Sequence, residues 1–120
     1  THDFDEALRL ADRIAIMKDG AVEQVDTPDR IVLSPATEYV AKFTEDVEKA
    51  RVVHAGALAR PLEGPPPEGE PVPAGATILE LGRRLAQETR EVLPVADDTG
   101  ALVGGLDRQA ALDILFGEGP

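Results

Sequence analysis

Two histidines stand among 23 acidic side chains, and one of them lies almost at the start of the 120-residue sequence. Thr1-His2-Asp3-Phe4-Asp5-Glu6 sets an imidazole beside three carboxylates. Such a group can move a proton, hold a cation or simply begin a helix. Asp3 with Glu6 three residues on has the spacing of a helix cap, and acids suit the positive end of a helix dipole. Capping therefore accounts for Asp3, Asp5 and Glu6. The second imidazole, His54, has no carboxylate or histidine at ligand spacing and reads as a surface or linker residue. Asp97-Asp98-Thr99-Gly100 has the residues of a turn. The acids follow no calcium-loop pattern, and nothing sets two of them across a cleft for glycoside chemistry. No metal site is expected. Asp107 can cap a last helix, with Arg108 beside it at the surface. Transfer of a phosphoryl group needs a phosphate cradle of the G-x-x-x-x-G-K-[ST] kind, and the sequence has none. The Gly104-Gly105 pair lacks both the lysine and the spacing.

Composition narrows the classes further. A net charge of -11 argues against a nucleic-acid partner, because phosphate binding needs clustered Lys and Arg. Aromatic content of 3% makes the core aliphatic and a base-stacking sheet untenable. With no cysteine there are no disulfides, thiolate metal sites or thiol nucleophiles, in keeping with a reducing compartment. No apolar run approaches the ~18 residues of a membrane span.

The elements follow from spacing. Phe4, Ala7, Leu8 and Ala11 share one face of a first helix. Residues 13–26 read as a β-hairpin turning at Lys18-Asp19-Gly20. Thr27-Pro28 and Ser34-Pro35 each place a hydroxyl cap before a proline, so each is expected to start a helix. Ile31, Val32 and Leu33 belong to the first of these helices. Tyr39, Val40, Phe43 and Val47 form a stripe on the second. The stretch PLEGPPPEGEPVPAG, residues 61–75, cannot be helical and reads as a linker that ends in an edge strand around Val72. Thr77 and Glu80 then form a capping box, with Ile78, Leu81 and Leu85 on one helical face. Glu91–Ala96 and Ala101–Leu106 are paired strands around the Asp97–Gly100 turn. Pro94 signals a missing ladder partner on one side. A final helix from Asp107 carries Leu112, Leu115 and Phe116.

THDFDEAL followed by ADRIAIMKDGAVEQVDTPDRIVLSPATEYVAKF resembles the C-terminal end of the ATPase subunit of ABC transporters, and within them the ATP-binding subunit of glycine betaine/proline betaine importers. The phrases DEALRLADRIAIMKDG, TPDRIVLSPA and YVAKFTEDV carry the closer likeness. The resemblance implies that the threonine-histidine-aspartate triplet ends a core strand and that His2 is the switch histidine facing the γ-phosphate. It implies ATP and Mg as cofactors of a longer parent, with this sequence beginning inside a nucleotide-binding domain and not catalytic alone. GATILELGRRLAQETREVLPVADDTGALVGGLDRQAALDIL resembles one CBS motif. Such motifs pair, which implies a homodimer through this part. In nucleotide-binding members a Ser/Thr-x-x-Asp segment holds ribose. Here Asp107 stands at the hydroxyl's place and Ala110 at the acid's, a departure that weakens Asp107 and Arg108 as a nucleotide site.

The expected fold is α+β: the end of an ABC ATPase domain (helix, hairpin, two helices) over residues 1–50, a Pro- and Gly-rich linker over 51–75, and a CBS-like helix-strand-strand-helix unit over 76–117. Three roles fit: a regulatory part of the importer ATPase, an adenine-nucleotide sensor, or a structural dimerisation tail. The parent would sit on a transmembrane permease at the cytoplasmic face of the cell membrane.

Overall fold

A computed structural model describes residues 2–117, and the side chains of residues 6–117. The fold is α+β with two small sheets. In chain order it runs α1 (His2–Leu10), β1 (Ile14–Lys18), β2 (Ala21–Asp26), α2 (Pro28–Leu33), α3 (Glu38–Phe43), α4 (Lys49–Val52), α5 (Ala55–Leu58), β3 (Val72–Pro73), α6 (Gly82–Gln87), β4 (Val92–Ala96), β5 (Leu102–Asp107) and α7 (Arg108–Leu115).

The helix α1 buries Leu8 and leaves Leu10 79% exposed. Ala7 is exposed and Ala11 half-buried, so the expected stripe narrows to Leu8 among the described side chains. The cap expected on Asp3 and the contact of Phe4 lie outside them. The hairpin turns as its sequence dictates: Asp19 takes φ 52° and Gly20 φ 81°, the two left-handed positions of a tight two-residue turn. Strands β1 and β2 pair antiparallel with Ile16 opposite Gln24. Ile16 points inward onto Ile31 and Val40. Ala15, Met17, Val22 and Val25 are exposed, an apolar set on a two-stranded sheet.

Thr27 caps α2 by accepting from the Arg30 amide at 3.4 Å, with Pro28 in the first turn. Ser34-Pro35, expected to start the next helix, instead ends α2. The buried Gln24 side chain donates to the Ser34 carbonyl (3.3 Å) and accepts from the Ala36 amide (2.9 Å). Those two bonds hold residues 34–36 as a turn. The cap falls to Thr37, which accepts from the Val40 amide at 3.2 Å. The helix α3 ends at Phe43, with Thr44 as its C-cap. Val47, expected on its stripe, lies beyond the helix, and Phe43 is 45% exposed.

Residues 49–58 form α4 and α5, two short helices in and beside the stretch expected to be linker. Their Val52, Val53 and Ala55 enter the main core. The backbone fixes them there: Ala55 and Gly56 donate to the carbonyls of Ala76 and Ala74, and Ile78 donates to that of Val53, each at 2.9 Å. The main core is continuous. Leu8 and Val32 from the first part meet Val53, Ile78, Leu85, Leu93, Val95, Leu106 and Ile114. The second sheet has the order β3-β4-β5, with β3 parallel and β5 antiparallel to β4. Strand β3 is the edge strand expected around Val72. It pairs only with Val95 and Ala96, so Pro94 has no partner on that side.

Arg60 extends the sheet beyond β5. Its amide donates to the Gly105 carbonyl (2.9 Å) and its carbonyl accepts from the Gly105 amide (2.8 Å). The chain passes so close that a Cβ at Gly104 would lie 2.6 Å from the Arg60 carbonyl oxygen. Close backbone approach thus accounts for Gly104, while a Cβ at Gly105 would meet the Leu62 and Val92 side chains at 2.6 and 2.7 Å. The reciprocal bonds expected at Thr77 are present, its amide donating to Glu80 Oε1 (2.9 Å) and its hydroxyl accepting from the Glu80 amide (3.2 Å), but they close a turn that holds Ile78 and Leu81, and α6 starts only at Gly82. On α7, Ala111 and Ile114 are buried and Leu112 and Leu115 half-buried, while Phe116, expected within the helix, is its C-cap and 69% exposed.

Candidate functional site

The residues singled out for chemistry do not converge. The backbone of His2 opens α1, and its side chain is outside the described residues. Asp107 caps α7, accepting from the Gln109 amide at 3.2 Å. Arg108 is engaged at both ends: its backbone amide donates to the Glu91 carbonyl (2.8 Å) and its Nε to the Leu85 carbonyl (3.0 Å). The residue thus ties the start of α7 to α6 through its side chain and to the entry of β4 through its backbone. Asp97 is a turn residue. Its Oδ1 accepts from the Thr99 hydroxyl (2.6 Å), the Thr99 amide (2.9 Å) and the Ala101 amide (3.1 Å). Those bonds, the Thr99 hydroxyl foremost, hold its carboxyl below the usual range. Glu80 is likewise lowered, first by the Thr77 amide and then by the Thr77 hydroxyl.

His54 behaves differently from its sequence reading. Asp29 Oδ2 accepts from the His54 backbone amide at 2.7 Å. The His54 Nδ1 lies 3.0 Å from Oδ2 and 3.2 Å from Oδ1 of the same carboxylate. The Asp29 side chain is 13% exposed and that of His54 40%. Local spacing could not reveal a partner 25 residues away. Nothing in the sequence marked Asp29 out, because an acid in the first turn of a helix is ordinary.

ATP and Mg do not fit the residues present. Among the described residues no group of three His, Asp or Glu side chains is placed to hold a metal ion. The sequence has no phosphate loop, and the one candidate guanidinium, Arg108, is bonded to a carbonyl. No hydrolytic step is derived through this chain. Among the described residues no helix is long and apolar enough to cross a membrane.

Sequence comparison supplies what the geometry alone does not. The chain is similar to part of the ATP-binding subunits of ABC transporters for quaternary amines and related solutes, and it spans about a third of the length of the curated relatives that it matches from end to end. The trimethylamine N-oxide transport system ATP-binding protein TmoW of Ruegeria pomeroyi is 68% identical over 116 residues, 97% of this chain and 33% of that protein. TmoW of Pelagibacter ubique is 43% identical over 116 residues, 97% of this chain and 34% of that protein. The glycine betaine transport ATP-binding protein OpuAA of Bacillus subtilis is 51% identical over 63 residues, 52% of this chain and 15% of that protein. No protein-family model matches the chain, and no solved structure matches it. The expected likeness to betaine-importer subunits is thus present over half the chain, whereas these two trimethylamine N-oxide relatives extend over nearly all of it.

Proposed function

We propose that this chain is the C-terminal third of the ATP-binding subunit of an ABC importer for small methylated amines, trimethylamine N-oxide or glycine betaine. In this reading residues 1–50 are the end of the ATPase domain, with His2 as its switch histidine. The CBS-like unit follows as a non-catalytic part that regulates the ATPase or joins two copies. The whole subunit would bind ATP and Mg, pair with a transmembrane permease and work at the cytoplasmic face of the membrane. The observation that carries this is the 68% identity along 97% of the chain to a protein named for ATP binding in trimethylamine N-oxide transport.

Two physical features support it. The exposed Ala15, Met17, Val22 and Val25 leave an apolar sheet face of the kind that calls for further protein. The pairing of residues 53–56 with 74–78 gives the CBS-like unit a longer extent than 76–117, so we take it to begin near Ala50. Asp107 and Arg108 are occupied by a cap and a carbonyl, which favours the regulatory or dimerising role over an adenosine site. The reading frame upstream of Thr1 tests the proposal. It should encode a G-x-x-x-x-G-K-[ST] loop within the missing two thirds, since the 116 matched residues cover 33% of the relative. A frame without such a loop would overturn it.

A further inference from the structure

We propose that Asp29 and His54 form a latch that fastens the first part of the chain to the second. One carboxylate makes two kinds of contact with one residue: a charge-assisted bond from the His54 backbone amide (2.7 Å) and a close approach to its ring nitrogen (3.0 Å). Asp29 is held in the first turn of α2, whose Ile31 and Val32 are buried beneath it. His54 is held from the other direction. It forms a bridge with Thr77, and Thr77 is locked in its reciprocal bonds with Glu80. A continuous line of polar contacts therefore runs from α2, through His54, to the start of the turn that leads into α6.

Asp26–Arg30 and Glu48–Arg51, by contrast, each join residues no more than four apart. Apolar contact between the parts is made on the core side by Leu8 and Val32, with the half-buried Ile14, Leu33 and Val47 packed beside them. The latch closes the opposite, wetter rim, where Thr27, Arg30 and Ala57 surround it. Its place makes it a control point. While it is closed, a displacement of α2 is passed to residues 53–58 and so to the pairing that seats β3. When it is open, those residues can leave α2 without loss of the β4–β5 pairing. The latch rests on geometry alone. Under the proposed function it would join the ATPase end to the CBS-like unit, but it would stand if that reading failed.

Amide hydrogen exchange on the whole 120-residue chain tests it. The variants are Asp29→Ala, His54→Gln and both together, with Glu48→Gln as a control at a local pair. A net charge-assisted bond corresponds to roughly tenfold in a local opening equilibrium. Asp29→Ala, which removes both contacts, should speed exchange in 28–33 and 53–58 together by about that factor, and His54→Gln, which keeps the backbone amide bond, by less, both leaving 92–96 and 102–107 as they were. The double variant should be no faster than the faster single one, because one contact cannot be lost twice. Asp29→Asn keeps an acceptor oxygen and should recover part of the protection. Acceleration confined to the altered element, additive effects in the double variant, or an equal rise throughout the chain would each overturn the latch.

Discussion

Alanine at position 104 tests how firmly residues 59–62 belong to the second sheet. Gly104 is buried and its backbone is not left-handed, so alanine suits its dihedrals. The difficulty is space. The new methyl would stand 2.6 Å from the Arg60 carbonyl oxygen, 3.2 Å from its carbon and 3.3 Å from the Ala59 Cβ. Two of these are backbone atoms, which no rotamer change can clear. The segment must lift away from β5, and the two Arg60–Gly105 bonds would stretch with it. Overpacking of this kind costs about 1–3 kcal/mol, and losing one backbone bond adds about 0.5–1.5 kcal/mol. Against this, alanine stiffens the unfolded chain by about 0.4–1 kcal/mol. The net loss is about 0.5–4 kcal/mol, and its middle, about 2 kcal/mol, lowers the midpoint by roughly 1 M for a urea slope of about 2 kcal/mol/M. Gly75 supplies the comparison. It too is not left-handed, and a Cβ there meets nothing within 4 Å. Gly75→Ala should leave the midpoint unchanged or raise it slightly. Equal midpoints for the two variants would refute the close passage of Arg60 over β5.

Removing the Gln24 side chain should leave the Ser34 carbonyl and the Ala36 amide without their partner, at a cost of about 1–3 kcal/mol. In Gln24→Ala the Ala36 amide should exchange faster while the amides of α6 do not, a pattern that NMR reads directly. Asp97 gives a pH signature. Its carboxyl is held below the usual range in the folded chain, so its contribution is complete above the unfolded value and is lost as pH falls through the folded one. Thr99→Ala removes the leading hydroxyl bond, and a carboxyl-carbon NMR titration should show the Asp97 midpoint moving up toward the ordinary value.

What could be read from the sequence was local. The Asp19-Gly20 turn, the Thr27 and Asp107 caps and the Thr77–Glu80 box each depend on residues at most three apart. Ser34 misled because its caps compete with a side chain ten residues earlier: Gln24 claims the Ser34–Ala36 turn, and the helix start moves on to Thr37. The role of Gly104 and Gly105 could not be inferred without knowing that Arg60 crosses them. The helices α4 and α5 are only four residues each and are held by bonds to residues 74–79, so no helical period announces them. The Asp29–His54 contact was hidden for the same reason, since it exists only once α2 and the 53–58 segment pack together.

The most direct measurement of the proposed function is ATP turnover by the longer subunit that it posits, with His2 as found and with His2→Ala. If His2 positions the attacking water, the change should lower turnover about 100-fold or more while nucleotide binding persists, in line with the loss of a positioned catalytic group. The 120-residue chain by itself should release no phosphate. Undiminished turnover in His2→Ala, or hydrolysis by the chain alone, would contradict the account.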